Sequence, residues 1–335
     1  MSIVMTGGGT GGHLAIIKAV KEHLHDDELV YIGSTQGQDR QWFENDESFT
    51  ARYFLETQGV VNQRGLGKLK SLWMLIKATK RARGLLKKHG ASVVFSVGGF
   101  SSAATAFAAK SLGIPLVIHE QNAAMGSLNK LLKPYADNFI SSYIESSPIK
   151  AYPIKDIFFK NTHIRTDIKS IIFIGGSQGA VAINKLALQL APILHKNGIH
   201  IMHQAGERNI ESVKSEYEKL GIEADIFGFT IELESYMNRA DFAIARAGAS
   251  TLWELSASAI PTLYIPYPYA AADHQYHNAK FLVDGDMAWV MRESEIDMEQ
   301  IEQILSQGME PRSKKLIESI EPNGAEQIAK LLEGY

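Results

Sequence analysis

The sequence predicts an α/β protein of two Rossmann-like domains, whose parallel sheets face each other across a deep cleft. Short apolar runs alternate with longer amphipathic stretches along all 335 residues. Each half also opens with a strand, a glycine-rich loop and a helix. Strands that alternate with helices in this way form parallel sheets covered on both faces. Ligands of such sheets bind beyond the carboxyl ends of the strands.

Ten short apolar runs are predicted strands, and they fall into two series of five. They are Ile3–Thr6, Leu29–Ile32, Val93–Val97, Leu116–His119 and Phe139–Ser141, then Ile171–Ile174, His200–His203, Asp225–Phe227, Phe242–Ala245 and Thr262–Ile265. Helical periodicity is clear at Leu14–Leu24 and at Ile183–Leu194. The polar stretch Ile144–Ile168 lacks such periodicity, so we expect one domain over residues 1–154 and a second that starts at residue 155.

Composition excludes several classes of protein. The chain has no cysteine, which excludes disulfides, thiolate metal sites and a cysteine nucleophile. The first predicted strand begins at Ile3 and leaves no room for a signal peptide. No apolar run reaches the ~18 residues that a membrane-spanning helix needs. We therefore expect a cytoplasmic protein.

The charge distribution indicates an anionic partner of the N-terminal half. The net charge is −3, yet the stretch from Thr57 to His119 holds ten basic residues and no acidic one. Nucleic acid, acidic lipid and phosphate all fit such a surface. Within it, Leu66–Lys88 combines a broken apolar face with lysines and arginines. Part of that helix must pack on the core, while Arg64–Lys88 suits docking on an anionic membrane; no nucleic-acid-binding module is apparent.

Three glycine-rich turns indicate phosphate binding. They are Gly7–Gly12, Gly98–Ser102 and Gly175–Gly179, and each directly follows a predicted strand. Glycine allows a sharp turn and a close approach to a ligand, and the next helix aims free N–H groups at an anion. Tight packing of strand on helix is the alternative for any single turn. Three turns in the same context favour phosphate.

Two nucleotide-binding classes are disfavoured. Gly7-x-Gly9-x-x-Gly12 matches the dinucleotide fingerprint, but the second strand ends Tyr31-Ile32-Gly33-Ser34 without the acid that would hold a ribose. This disfavours a nicotinamide oxidoreductase. The Lys-Ser/Thr ending of a P-loop is also missing, which disfavours an NTPase.

No metal or other cofactor is expected. Asp284-Gly285-Asp286 has the Asp-x-Asp pattern that often holds a divalent ion against a nucleotide sugar. It follows a helical stretch rather than a strand end, which favours a solvated turn. Helix N-termini and basic groups can stabilise a leaving diphosphate instead.

Six segments together resemble one family. They are GGGTGGH at 7–13, GGFSS at 98–102, HEQN at 119–122, GGSQGA at 175–180, RAGASTLWEL at 246–255 and the stretch Pro266–Ala279. The pattern resembles the MurG family, the undecaprenyldiphospho-muramoylpentapeptide β-N-acetylglucosaminyltransferases of bacterial cell-wall synthesis. These motifs span nearly the whole chain in the order of the family.

The resemblance implies a fold, a reaction and a location. The fold is GT-B, with the acceptor in domain 1–154, UDP-GlcNAc in domain 155–321, and a last helix at about 322–335 that packs back on the first domain. The reaction is an inverting transfer of N-acetylglucosamine to the 4-hydroxyl of the muramoyl sugar of lipid I, which gives lipid II. The enzyme is expected as a peripheral protein on the cytoplasmic face of the plasma membrane, with a cell-wall or division complex as a candidate partner.

The resemblance also implies the donor-binding residues. Glu254 would hold the ribose hydroxyls of uridine, and Gln275 would contact hydroxyls of the donor sugar. Ser177, Gln178 and the adjoining Gly179 would meet the diphosphate. A further position, Thr230, matches the one whose backbone reads the uracil edge.

On the acceptor side, Asn122 and the turn Thr10-Gly11-Gly12 match positions near the transferred sugar. The glycine turns, through Gly8, Gly9, Gly99 and Ser101, would receive the diphosphate of the acceptor. Either of two residues is a candidate general base. His13 has a side chain that titrates near neutrality, and Glu120 is the rival.

One position departs from the family. The junction of the family usually reads Asn-Pro-Val-Arg, whereas this chain has Tyr152-Pro153-Ile154-Lys155. Lysine keeps the charge but loses the bidentate fork of arginine. Either Lys155 acts as a point charge on the diphosphate, or Arg246 has taken that role.

Three other functions remain as alternatives. A diacylglycerol glucosyltransferase would share the fold and the membrane surface. A UDP-GlcNAc 2-epimerase would need the donor but no acceptor. A non-catalytic nucleotide-sugar-binding protein would bind UDP without turnover.

Overall fold

The structure is a computed structural model that describes residues 1–25, 28–59, 66–176, 179–230 and 232–335. The chain forms two compact units. Unit 1 comprises Met1–Lys155 with Asn323–Tyr335, and unit 2 comprises Asp156–Pro322.

Unit 1 is built on a parallel sheet of six strands. The strands are β1 (Ser2–Thr6), β2 (Glu28–Ser34), β3 (Ala51–Leu55), β4 (Val93–Ser96), β5 (Leu116–His119) and β6 (Asn138–Ile140), and the helices between them are α1 (Gly11–Lys21), α2 (Asp39–Phe43), α3 (Leu66–Lys88), α4 (Ala103–Leu112) and α5 (Ser127–Leu132). The strand order is β3-β2-β1-β4-β5-β6. The chain adds strands β2 and β3 on one side of β1 and strands β4 to β6 on the other. Ligands of such sheets bind at this switch point, between β1 and β4.

Unit 2 repeats this architecture. Its strands are β7 (Ser170–Ile174), β8 (His200–Gln204), β9 (Asp225–Phe227), β10 (Phe242–Ala245), β11 (Thr262–Tyr264) and β12 (Trp289–Val290), and its helices are α6 (Ile157–Lys160), α7 (Val181–Lys196), α8 (Ile210–Leu220), α9 (Leu233–Arg239), α10 (Ala249–Ala257), α11 (His274–Asp284), α12 (Met298–Leu305) and α13 (Glu310–Ser319). The order β12-β11-β10-β7-β8-β9 places the corresponding switch point between β7 and β10.

The last helix, α14 (Gly324–Glu333), belongs to unit 1. Its first residue, Gly324, packs closely against the backbone at Ala151. A Cβ at Gly324 would lie 2.5 Å from the Ala151 carbonyl oxygen. Its buried face includes Ile328 and Leu332. Beyond it, the Tyr335 hydroxyl accepts a hydrogen bond from Asn138 Nδ2 at 2.6 Å.

All ten strands predicted from the sequence are confirmed, and two more, β3 and β12, were not predicted. Both lie at sheet edges. Four of the five residues of β3 are only partly buried, and β12 has two residues. A very short or partly exposed strand lacks the continuous apolar run of a strand that is covered on both faces. Edge position alone is not the reason, because the edge strands β6 and β9 are predicted.

Helix α3 has a packed side and an exposed side. Ala78, Ala82 and Leu86 are buried in the core of unit 1. Leu69, Leu72, Trp73 and Ile76 are exposed. Neither this helix nor any other in the described ranges has the length and apolar character needed to cross a bilayer.

Candidate functional site

The first two glycine turns lie side by side at the switch point of unit 1. Gly8 and Gly9 follow β1, Gly99 follows β4, and all three have positive φ. A Cβ at Gly99 would lie 2.5 Å from the Gly8 carbonyl oxygen. Only glycine therefore allows the two turns to approach this closely. The sequence predicted these positions for an acceptor diphosphate, and the structure brings them together.

The start of α1 carries His13 next to the first turn. Thr10 is the N-cap, and its hydroxyl lies 2.9 Å from His13 Nδ1. On the other side of the ring, Gln121 Nε2 lies 3.1 Å from His13 Nε2. Gly11 and Gly12 open the helix before His13. The contact with Gln121 joins the first glycine turn to the HEQN segment that follows β5.

Glu120, the rival base, is enclosed by its own loop. Its carboxylate accepts hydrogen bonds from the backbone N–H of Asn122 and of Gly126, both at 2.9 Å, and from Asn129 Nδ2 at 3.0 Å. The side chain is 3% exposed. These bonds fix the turn between β5 and α5, and with it the position of Asn122.

Two further buried polar residues lie in this region. Ser101 is 1% exposed, and its hydroxyl has no hydrogen-bond partner among the described residues. His119, the last residue of β5, is fully buried with its ring edge-on to Tyr152. Burial, and then the nearby charge of His13, lowers the pKa of His119 to about 3. His119 is therefore neutral at physiological pH.

In unit 2, the third glycine turn and Arg246 flank the switch point. Gly179 has a φ of +74°, and a Cβ there would lie 2.4 Å from the Ala205 carbonyl oxygen. Ser177 and Gln178, predicted to meet the diphosphate, lie outside the described residues. The long helix α7 begins at Val181, directly after this turn, and so directs N–H groups toward it.

The two candidate cations for the diphosphate have different surroundings. Arg246 follows β10 and donates hydrogen bonds to the carbonyls of Ile265 and Pro266 at 3.0 Å and to Glu293 at 2.7 Å. Lys155, at the end of the first segment of unit 1, is partly exposed and lies 3.5 Å from Glu22.

The other predicted donor residues lie in segments that follow strands of unit 2. Glu254 lies on the second turn of α10, which begins soon after β10. Gln275 Oε1 accepts a hydrogen bond from the Tyr267 N–H at 2.9 Å, so it ties the start of α11 to the segment after β11. Thr230 lies beyond β9, and its hydroxyl accepts the N–H of Glu232 at 3.0 Å.

Gln275 follows a strained turn. Ala272 and Asp273 both have a φ near +50°, which L-residues rarely adopt. Asp273 pairs with Arg292 at 2.7 Å, and the Arg292 guanidinium lies 4.2 Å from the centre of the Tyr276 ring. This ion pair links the turn to the segment that follows β12.

The Asp-x-Asp pattern forms ion pairs with neighbouring cations. Asp284 pairs with Lys280 at 2.7 Å, and Asp286 pairs with Lys315 at 2.9 Å and with Arg312. Among the residues that the structure describes, no group of three or more histidine or carboxylate side chains is arranged to hold a metal ion.

Sequence reasoning missed two carboxylates that organise these loops. Asp39, at the start of α2, accepts the Gly9 N–H at 2.6 Å. Glu207 accepts the Phe229 N–H at 2.6 Å, next to Thr230. The dinucleotide fingerprint specifies an acid at the end of β2 only as a ribose ligand. An acid that binds the glycine turn itself leaves no comparable pattern in the sequence.

Two family models match the chain. The glycosyltransferase family 28 N-terminal domain covers residues 3–141, and the family 28 C-terminal domain covers residues 170–332. The chain therefore belongs to glycosyltransferase family 28 and has the GT-B fold. The family membership that the six motifs predict is confirmed.

Individual relatives agree with this. A protein of Sulfurovum sp. (strain NBC37-1), named UDP-N-acetylglucosamine–N-acetylmuramyl-(pentapeptide) pyrophosphoryl-undecaprenol N-acetylglucosamine transferase, is 68% identical over 335 residues, or 100% of this chain and 99% of the relative. A protein of the same name from Sulfurimonas denitrificans is 56% identical over 95% of this chain and 94% of its own length. Among solved structures, MurG of Acinetobacter baumannii matches with a TM-score of 0.81 and 25% identity, over 100% of this chain and 99% of that one.

Proposed function

We propose that this chain transfers N-acetylglucosamine from UDP-GlcNAc to the 4-hydroxyl of the muramoyl sugar of lipid I, with inversion at the anomeric carbon. The products are lipid II and UDP. The observation that carries the proposal is the full-length 68% identity to a transferase whose name gives UDP-N-acetylglucosamine, an undecaprenol-linked muramyl-pentapeptide and the transferred N-acetylglucosamine. The 4-hydroxyl and the inversion are what the resemblance to the family implies.

Unit 1 supplies the acceptor site in this proposal. The paired turns at Gly8 and Gly99 present backbone N–H groups to the diphosphate of the acceptor, together with the Ser101 hydroxyl. His13 takes the proton from the attacking hydroxyl as its oxygen bonds to the anomeric carbon. Glu120 acts by holding Asn122 and its loop, because hydrogen bonds from the loop already occupy its carboxylate.

Unit 2 supplies the donor site. The turn at Ser177, Gln178 and Gly179, with the N-terminus of α7, receives the UDP diphosphate and stabilises its charge as the bond to the sugar breaks. Lys155 and Arg246 are the candidate cations.

The remaining donor contacts follow the family pattern. Glu254 accepts the ribose hydroxyls, Gln275 contacts the sugar, and the Thr230 backbone meets the uracil. A carboxylate that accepts two hydroxyl hydrogen bonds suits the ribose.

Incubation of the purified chain with labelled UDP-GlcNAc and a lipid I analogue tests the reaction. The expected result is a labelled β-linked disaccharide product and one UDP for each product molecule. UDP-GlcNAc alone forms the second arm, and diacylglycerol as acceptor forms the third. Release of UDP-ManNAc from the second arm, a glycolipid in the third, or UDP binding without any product would contradict the proposal.

We also propose that α3 docks the enzyme peripherally on an anionic membrane, at the cytoplasmic face where UDP-GlcNAc is available. Leu69, Leu72, Trp73 and Ile76 have helical spacing, and their exposed fractions are 64%, 46%, 63% and 62%. Exposed cations flank this stripe, namely Lys70, Lys77, Lys80 and Arg81. Apolar side chains ringed by cations suit the interface of an anionic bilayer. Arg64, the first residue of the predicted surface, lies outside the described residues.

Vesicle binding tests the membrane proposal. Wild-type protein is expected to bind phosphatidylglycerol vesicles better than phosphatidylcholine vesicles, and less well as salt increases. The double variant Trp73→Ser/Ile76→Ser should lose most of that binding. The matched control is Leu220→Ser/Ile317→Ser, which removes two exposed apolar side chains from unit 2. Equal binding to both lipids, or equal loss in the control, would overturn the proposal.

A further inference from the structure

Asp39 is a buried acid directly beneath the first glycine turn. It is 0% exposed. Its Oδ2 accepts the Gly9 N–H at 2.6 Å, and its Oδ1 accepts the Ser34 N–H at 2.9 Å. One carboxylate therefore joins the glycine turn after β1 to the end of β2.

Tyr31 extends this connection. Its hydroxyl lies 2.9 Å from the Gly7 carbonyl oxygen and 3.0 Å from Asp39 Oδ1. The ring is fully buried and packs against Phe43 and Phe49. The turn is thus held at Gly7 and at Gly9 by two side chains that the core keeps in fixed positions.

The space around Asp39 accepts only glycine. A Cβ at Gly8 would lie 2.5 Å from Asp39 Oδ1, and one at Gly33 would lie 2.7 Å from the same atom. A Cβ at Gly37 would lie 2.6 Å from the Gly9 Cα. Three glycines from three segments are therefore fitted around one carboxylate and the turn that it binds.

The turn continues directly into α1, the helix that carries His13. Gly9 precedes Thr10, the N-cap of α1, and His13 lies in the first turn of that helix. A rotation of the peptide at Gly9 would move the N-cap, the first N–H groups of α1 and the His13 ring together. A displacement of about 1 Å at reacting groups can cost roughly 100-fold in rate.

We propose that Asp39 is a positioning residue for acceptor recognition and for His13. It acts through the Gly7–Gly9 turn and contacts neither substrate. This inference rests on the proposed function for its kinetic readout. Burial raises the pKa of Asp39, and the N–H groups of Ser34 and Gly9 oppose that rise. Burying this acid costs free energy, and its hydrogen bonds to the turn explain why the fold keeps it.

The isosteric variant Asp39→Asn tests the proposal sharply. An amide has one acceptor oxygen, so in either orientation its NH2 group faces the N–H of Gly9 or of Ser34. We expect kcat to fall roughly 10- to 100-fold, with the KM for UDP-GlcNAc and the affinity for UDP unchanged within error. The matched control is Asp137→Asn, since Asp137 Oδ2 also accepts a backbone N–H in unit 1, that of Leu116 at 2.8 Å.

Tyr31→Phe is the second variant, for the case in which Asp39→Asn does not fold. It removes one oxygen and keeps the ring packing. It should lower kcat, while the KM for UDP-GlcNAc and the affinity for UDP stay unchanged within error. Wild-type kcat in a folded Asp39→Asn protein, or in Tyr31→Phe if only that variant folds, would overturn the proposal. Parallel loss of UDP affinity and thermal stability would also overturn it.

Selective ¹⁵N labelling of glycine and serine separates this proposal from the proposed function. The Gly9 and Ser34 amides should both exchange slowly with solvent in the wild type, and at least one of them should exchange rapidly in Asp39→Asn. If the wild type makes no product from UDP-GlcNAc and the lipid I analogue, the proposed function fails, while this exchange measurement still tests the bond from Asp39 to the turn. Unchanged protection of both Gly9 and Ser34 in the variant would refute the positioning role.

Discussion

The surroundings of His13 and Glu120, the two candidate bases, differ. Three N–H groups donate to the Glu120 carboxylate, and each bond lies within the segment from Glu120 to Asn129. His13 lies at the start of a helix, with the Thr10 hydroxyl 2.9 Å from Nδ1 and the Gln121 amide nitrogen 3.1 Å from Nε2. Our proposal assigns the role of general base to His13, because an imidazole can take up and release a proton near neutrality.

His13→Ala should lower kcat by about 100-fold or more while the KM for UDP-GlcNAc changes little, because removal of a general base affects the transition state and spares donor binding. Initial rates over a range of both substrates give the two constants. His25→Ala, at an exposed position beyond α1, is the matched control. Near-normal kcat in His13→Ala would exclude His13 from the chemistry.

At single positions, the sequence predicts residue types better than partners. The HEQN segment predicts a functional role for Glu120, but its three hydrogen bonds depend on the turn that brings Gly126 and Asn129 back to it. Asp39 contacts a glycine thirty positions earlier in the chain. Such a contact has no local periodicity, and it becomes visible only once β1 and β2 are paired.

At the scale of elements, the glycine turns do two things. They allow positive φ, and they allow neighbouring turns to touch. These requirements can be separated, since Gly113 caps α4 at a φ of +70° with no atom near its missing Cβ, whereas Gly99 has a φ of +79° and the Gly8 carbonyl in contact.

Gly113→Ala should therefore cost about 1 kcal/mol of unfolding free energy, the ordinary cost of left-handed backbone, and leave activity intact. Gly99→Ala should carry the same cost and also force the two turns apart, so kcat should fall at least about tenfold. Urea unfolding and steady-state rates measure the two effects. Equal activity in both variants would show that contact between the turns is unimportant.

The strands were predictable where the sequence forms a short apolar run. Such runs predict the central strands, which are covered on both faces, and also the edge strands β6 and β9. β3, at an edge, has four consecutive partly buried residues and gives no such run. The strand order, which places the turns after β1 and β4 together, follows from pairing across the sheet and is not encoded in any one segment.

At the scale of the molecule, each unit buries a neutral histidine. Burial lowers the pKa of His203 in unit 2 to about 4, and burial with the charge of His13 lowers that of His119 in unit 1 to about 3. Both values lie below the 6.5 of an unfolded chain. The unfolded state therefore binds more protons between pH 6.5 and these values, so stability falls as pH falls through that window and is constant above it.

From pH 7.5 to pH 5, each histidine should remove about 2 kcal/mol of unfolding free energy, because one pKa unit corresponds to ~1.4 kcal/mol. His203→Gln should reduce this loss for unit 2, and His119→Leu should reduce it for unit 1. Urea unfolding at the two pH values measures the effect, with His195→Gln as an exposed control. An unchanged pH dependence in both buried variants would contradict the assignment.

The position of α14 has a consequence for the order in which the protein is made. Unit 2 is one continuous segment, whereas unit 1 is completed by the final thirteen residues, Asn323–Tyr335. A ribosome therefore releases every residue of unit 2 before unit 1 has its last helix. Domains usually mature from the N-terminus during synthesis, but here unit 2 can finish first, and unit 1 reaches its final packing only after α14 has been synthesised.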